Sequence, residues 1–173
     1  MSDSNTDVRF VTEAVPQLQD YLLSNELYWP LSGSLPRLTP GSLLLALARL
    51  QVSAPLEARR WGEQIESIRN KWRSAWEKKA AREAANRLRL WSQYLSDTIA
   101  APDQNMDSYR TEVRGRAILQ ILLANLPDAP ETAALAELDA HLKKHLVPGE
   151  FIWETDLQAA FPRKEFWFLY GNL

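Results

Sequence analysis

Residues 72–91 read WRSAWEKKAAREAANRLRLW, and the way this run folds decides the architecture of the chain. Its alanines, glutamates, arginines and lysines are strong helix formers. Upstream, Ser53-Ala54-Pro55 reads as a cap and early-turn proline, and between Pro55 and Asp97 there is no further proline and one glycine, Gly62. The spacing predicts one helix over 55–97, on the order of 60 Å long at 1.5 Å per residue.

The apolar positions of this helix are Trp61, Ile65, Ile68, Trp72, Trp76, Ala80, Ala84, Leu88, Trp91 and Leu95. Nine steps over these 34 residues average about 3.8, more than the 3.6 of a straight helix. The stripe therefore turns by about 160° along its length, which excludes a strict heptad seam. It requires either ends that face different surroundings or a bend, expected near Lys79 to Ala81. Ala80, Ala81, Ala84 and Ala85 leave room there for a second helix to cross.

Working outward, the composition fits the same picture. The chain has 173 residues, six glycines, no cysteine and 46% hydrophobic residues. That supports one all-α domain over residues 8–173, a bundle of about five helices built around the long one, preceded by a polar, disordered segment 1–7. The absence of cysteine excludes disulfides, thiolate metal sites and cysteine nucleophiles. With no basic-then-apolar leader and no apolar run near the roughly 20 residues of a membrane span, the expectation is a cytoplasmic protein that does not cross a membrane.

The other helices follow from local signals. Val15, Leu18, Tyr21 and Leu22 place a first helix from Val8 or Pro16 to Ser24, with Pro16 in its first turn. Thr39-Pro40 caps and opens a very apolar helix to Gln51, expected at the centre of the fold. Further helices are predicted over Tyr109–Leu126 and Glu131–Leu146, the latter stopped by Val147-Pro148-Gly149. The last 24 residues, with a helical turn near Thr155–Ala160, hold seven aromatics: Phe151, Trp153, Phe161, Phe166, Trp167, Phe168 and Tyr170. Exposing such rings forfeits about 1.5–3 kcal/mol each, so this irregular tail must be covered, in the simplest reading by folding back on its own chain beside Tyr28 and Trp29.

Charge is uneven: residues 57–98 carry ten cations and six acids, a net +4 in a chain of net −2. Counted at about 100° per residue, Arg60, Lys71, Lys78, Arg82 and Arg89 fall within about 40° of one another and form a line about 40 Å long. Such a line could track phosphates, but a solvated helix face opposite acidic neighbours explains it as simply. No aromatic shares the face, which speaks against binding by base stacking.

Other constellations are thinner. His141 and His145, one turn apart after Glu137, have metal-ligand spacing but no third histidine and no HExxH order, so neither a metal nor another cofactor is expected. Glu150, Glu154 and Asp156 around Trp153 supply carboxylates without any sign of a cleft. No phosphate-cradling glycine loop, dinucleotide fingerprint, calcium loop or serine elbow occurs. The reading these features favour is a non-enzymatic protein that binds another protein or itself, as a homodimer, through Trp72, Trp76, Ala80 and Ala84 of the long helix and Arg163, Phe166, Trp167 and Tyr170 of the tail. A nucleic-acid or other polyanion binder using the basic line is the alternative. A small-ligand protein or enzyme with an aromatic-walled pocket is a third.

Overall fold

The computed structural model describes residues 3–102 and 108–173. The fold is all-α, with six α-helices among the described residues: α1 Asp3–Leu23, α2 Pro40–Ser53, α3 Pro55–Lys71, α4 Arg73–Ala100, α5 Tyr109–Ala124 and α6 Glu131–His145. A two-residue strand β1, Val147–Pro148, pairs antiparallel with β2, Gly171–Asn172. The chain falls into two compact units, Met1–Glu83 and Ala84–Leu173, with the boundary inside α4.

The stretch predicted as one helix over 55–97 is two. The break is at Trp72, whose backbone leaves the helical region (φ −115°, ψ 40°), and it lies seven residues before the earliest position at which a bend was expected. Backbone hydrogen bonds resume at once: Trp72 N donates to the Ile68 carbonyl, and Trp76 N to the Trp72 carbonyl, each at 2.9 Å. No proline or glycine causes the break. The drifting stripe does: α3 lies against α1 and α2 and buries Ala58, Trp61 and Ile65, whereas α4 buries Trp76, Ala80 and Ala84. A straight helix would aim these two sets about 65° apart on average, and interrupting it redirects the second set.

In the first unit α1 starts at Asp3, not at Val8 or Pro16, so the segment expected to be disordered is helical from that point. The reason is distant in sequence: the Asp7 carboxylate accepts a 2.9 Å hydrogen bond from Nε of Arg49 on α2, and both residues are about 8% exposed. Pro16 sits in the helix interior. Helix α2 begins as predicted, with Thr39 in extended conformation and its hydroxyl accepting from Ser42 N at 3.0 Å. The cap position of α3 is Ala54, with no side-chain hydrogen bond, while the Ser53 hydroxyl turns back to the Arg49 carbonyl. Trp29, in the connection between α1 and α2, meets Tyr21 edge-on and donates from Nε1 to Gln17.

In the second unit the aromatic tail is covered by its own chain. Phe161, Phe166, Phe168, Leu169 and Tyr170 are buried, and Phe161, Phe166 and Phe168 meet in successive edge-on contacts, centroids 5.1 and 5.9 Å apart. The Tyr109 hydroxyl of α5 donates to the Phe168 carbonyl at 2.7 Å and that of Tyr170 to the Phe161 carbonyl at 2.8 Å. Burial pushes the Tyr109 phenol well above the usual tyrosine range. Beneath this cluster Arg116, 2% exposed, makes a bidentate pair with Asp139 of α6, at 2.9 and 2.7 Å. Its guanidinium carbon lies 4.2 Å from the Phe168 ring centroid. Thr155–Ala160 forms the expected short turn, of 3₁₀ type. Gly171 closes the tail: a Cβ there would collide with the Val147 carbonyl oxygen.

Candidate functional site

Two oppositely charged side chains, one helical turn apart on α4, organise the first unit. Glu83 is fully buried; one carboxylate oxygen accepts from the Thr39 hydroxyl at 2.6 Å and the other from Gly41 N at 2.7 Å. An anion thus stands at the positive end of α2, the position its dipole and free N–H groups favour. Lys79, 3% exposed, donates to the carbonyls of Ser24 (2.9 Å) and Glu26, just past the end of α1. Its ammonium lies 4.6 Å from the Tyr21 ring centroid. Burial, and secondarily the Arg82 charge, hold the Lys79 amine below the usual lysine range.

Beside Lys79 the break at Trp72 opens a cleft of about 510 Å³. One wall is the end of α1 and the residues after it, Leu22, Leu23, Ser24 and Asn25; the other is the end of α3 and the first three turns of α4. Five cations line it, Lys71, Arg73, Lys78, Lys79 and Arg82, and among the described residues no carboxylate does. Two are engaged with the α1 wall: Lys79 as described, and Arg82, whose guanidinium reaches the Asn25 carbonyl at 3.4 Å. The other three are exposed. The Lys71 ammonium rests 5.6 Å from the Trp72 ring centroid, and Arg73 donates to Asn70 at 3.3 Å. Trp72 is partly buried, and its indole N–H lacks a hydrogen-bond partner among the described residues. Positive charges held close together raise the local potential and attract anions.

The basic line read from sequence is thereby divided. Lys71, Lys78 and Arg82 line the cleft. Arg60 lies on the outer face of α3, its guanidinium 4.9 Å from the Trp61 ring centroid, and Arg89 is exposed on α4 with a 3.1 Å hydrogen bond to Asn86. Arg73 and Lys79 belong to the cleft but not to the line. A signal for Lys79 and Glu83 was present: counted from Trp61 at about 100° per residue they fall near 0° and 40°, each about 20° from a stripe residue two turns earlier, Trp72 and Trp76. Charges on a packing face call for buried partners.

The residues proposed for an interface are largely used within the chain. Trp76, Ala80 and Ala84 are buried, as are Phe166 and Tyr170. Trp167 is half-buried under the Lys143 ammonium at 4.9 Å. Arg163 remains exposed, 5.2 Å from the Tyr170 ring centroid. His141 and His145 are exposed on α6, with Nδ1 of His145 3.0 Å from the His141 carbonyl oxygen. Among the described residues no group of three or more histidines, aspartates or glutamates is arranged to hold a metal. Glu150, Glu154 and Asp156 are exposed, Glu154 lying 3.4 Å from Arg110. A smaller pocket of about 210 Å³ lies between α4 and α5, lined by Arg87, Leu90, Trp91, Tyr94, Thr111, Glu112, Arg114 and Gly115. Neither cavity includes a residue of the tail, so a pocket walled by tail tryptophans is not among them. No helix among the described residues is long and apolar enough to cross a membrane.

No protein family matches the sequence, and no curated protein or solved structure matches it either.

Proposed function

We propose that this protein binds a phosphate-rich polyanion, nucleic acid first among them, in the cleft at the break between α3 and α4. The observation that carries this reading is the cluster of five cations around one concavity that no carboxylate lines among the described residues. Any anion entering it meets several positive charges at once, and the binding free energy is dominated by their neutralisation and by release of counterions. The assembly reading loses weight by comparison, because Trp76, Ala80, Ala84, Phe166 and Tyr170 already spend their surfaces inside the chain.

The test is fluorescence anisotropy of a labelled single-stranded oligonucleotide, titrated with the protein at several salt concentrations. Engaging about three phosphates gives a slope of log K against log salt near −2, from roughly −0.7 per contact. Substituting Lys71, Arg73 and Lys78 together by glutamine removes most of that slope. All three are exposed, so the variant is expected to melt like the parent. Salt-independent binding, or retention of full affinity by the triple variant, overturns the proposal.

A further inference from the structure

The site's shape says more about its ligand than its charge does. A groove that tracks a strand spreads cations along a path, as the straight line of Arg60, Lys71, Lys78, Arg82 and Arg89 would have done on an unbroken helix. The break at Trp72 gathers cations instead. Lys71 ends α3, Arg73 opens α4, Lys78 follows about one and a half turns later, and all three border one concavity. Its volume of about 510 Å³ leaves room for a compact ligand.

The far wall would ordinarily oppose an anion, since the end of a helix carries roughly half a negative charge on its unpaired carbonyls. Here Lys79 covers the carbonyls of Ser24 and Glu26, and Arg82 reaches that of Asn25. That wall is therefore masked by buried Lys79, with exposed Arg82 touching it through one guanidinium nitrogen. Lys71, Arg73 and Lys78 are left for the ligand. Arg73 can offer a guanidinium fork, which fits paired phosphate oxygens. The first turn of α4 carries no acidic residue, and Ser74 adds a hydroxyl to the lining. Trp72, flanking the cations and only partly buried, supplies a flat surface beside the charge.

Three cations lining one concavity suit a compact dianion better than a monoanion. Resting on the polyanion reading above, we infer that the cleft takes a terminal phosphomonoester, the doubly charged phosphate at a strand end or on a nucleotide, in preference to the singly charged diesters within a strand. Trp72 then faces the group that carries the phosphate.

The test compares one single-stranded 12-nucleotide sequence carrying a 5′-phosphate, a 3′-phosphate or hydroxyls at both ends, with a nucleoside 5′-monophosphate as competitor. At neutral pH one of the phosphorylated strands is expected to bind about tenfold tighter than the unphosphorylated one. That preference shrinks as the pH falls below about 6, where the dianion takes up a proton and becomes singly charged. In the Arg73→Gln, Lys78→Gln double variant the preference falls to near one, with an unchanged melting temperature. Competition by the mononucleotide identifies the phosphate as sufficient; failure to compete, with the end preference intact, places the ligand on a strand end. Equal affinity for all three strands overturns the inference and leaves polyanion binding standing. Absence of binding to any strand overturns both.

Discussion

The two units bury charge in different ways. In residues 3–83 buried ionic groups sit at helix ends or join helices: Glu83 at the start of α2, Lys79 past the end of α1, and Asp7 with Arg49 between α1 and α2. In the described part of the second unit, a single bidentate pair, Arg116 with Asp139, lies against the Phe168 ring of the tail. The first arrangement distributes electrostatic work over several helix termini that need partners regardless of sequence. The second concentrates it at one guanidinium, held by Asp139 and Gln120 and lying against the Phe168 ring. Losing a partner is therefore expected to cost most in the second unit.

The largest effect is predicted for Asp139→Ala. It leaves the Arg116 charge, 2% exposed, without its bidentate partner, and breaking a buried pair in this way costs about 3–5 kcal/mol. Denaturant unfolding followed by tryptophan fluorescence measures it; a loss below about 1 kcal/mol would mean that water reaches the guanidinium, and the contrast between units would fail. Glu83→Gln comes next. The amide keeps the size and one acceptor but removes the anion from the start of α2, for an expected loss of about 1–3 kcal/mol. A cycle with Thr39→Ala sharpens the assignment, because the two side chains share a hydrogen bond and their effects should not add. Strict additivity would show that the carboxylate acts through something other than the cap.

The smallest effect is local and depends on pH. The Glu13 carboxylate accepts hydrogen bonds from the Ser32 hydroxyl and backbone N–H, and these bonds hold its pKa below the ordinary 4.5. A carboxyl with a depressed folded-state pKa contributes stability that is present above 4.5 and lost as pH falls through the folded value. The Ser32 amide, after correction for intrinsic exchange, should lose hydrogen-exchange protection on acidification to about pH 3. The Ile152 amide, bonded to the Leu169 carbonyl in the tail, should keep it. Equal behaviour of the two amides would contradict the assignment.

What could be read from sequence was what local chemistry decides. Thr39-Pro40 announces α2 because a cap and a first-turn proline act within four residues. The cost of exposing Phe166 and Phe168 required that the tail be covered. The surprises come from partners far apart in the chain. Residues 3–7 look too polar to order, yet Asp7 pairs with Arg49, 42 positions away. The pairing of Val147 with Asn172 rests on backbone groups that no side-chain pattern reports. The drifting stripe foretold a change of direction, but its location at Trp72 depends on what α1 and α2 present to α3. The cleft followed suit: Lys71, Lys78 and Arg82 were named for another geometry, while Arg73 and Lys79 joined them only once the helix was broken.

The Lys79–Glu83 spacing also checks the alignment of α4 during folding. The ends of α1 and α2 that these side chains meet have opposite polarity, so the two charges are not interchangeable. If α4 slid by one turn, Glu83 could stand at the carbonyls beyond α1, or Lys79 at the N–H groups that open α2, and in either case attraction would become repulsion. A slip in the first direction would also set Arg87 against the start of α2, and one in the second would leave Ala75 beside α1. Alanines by themselves would tolerate such misalignment, since one small side chain packs much like another. The paired charges make the wrong alignments costly and single out one of several sterically similar arrangements.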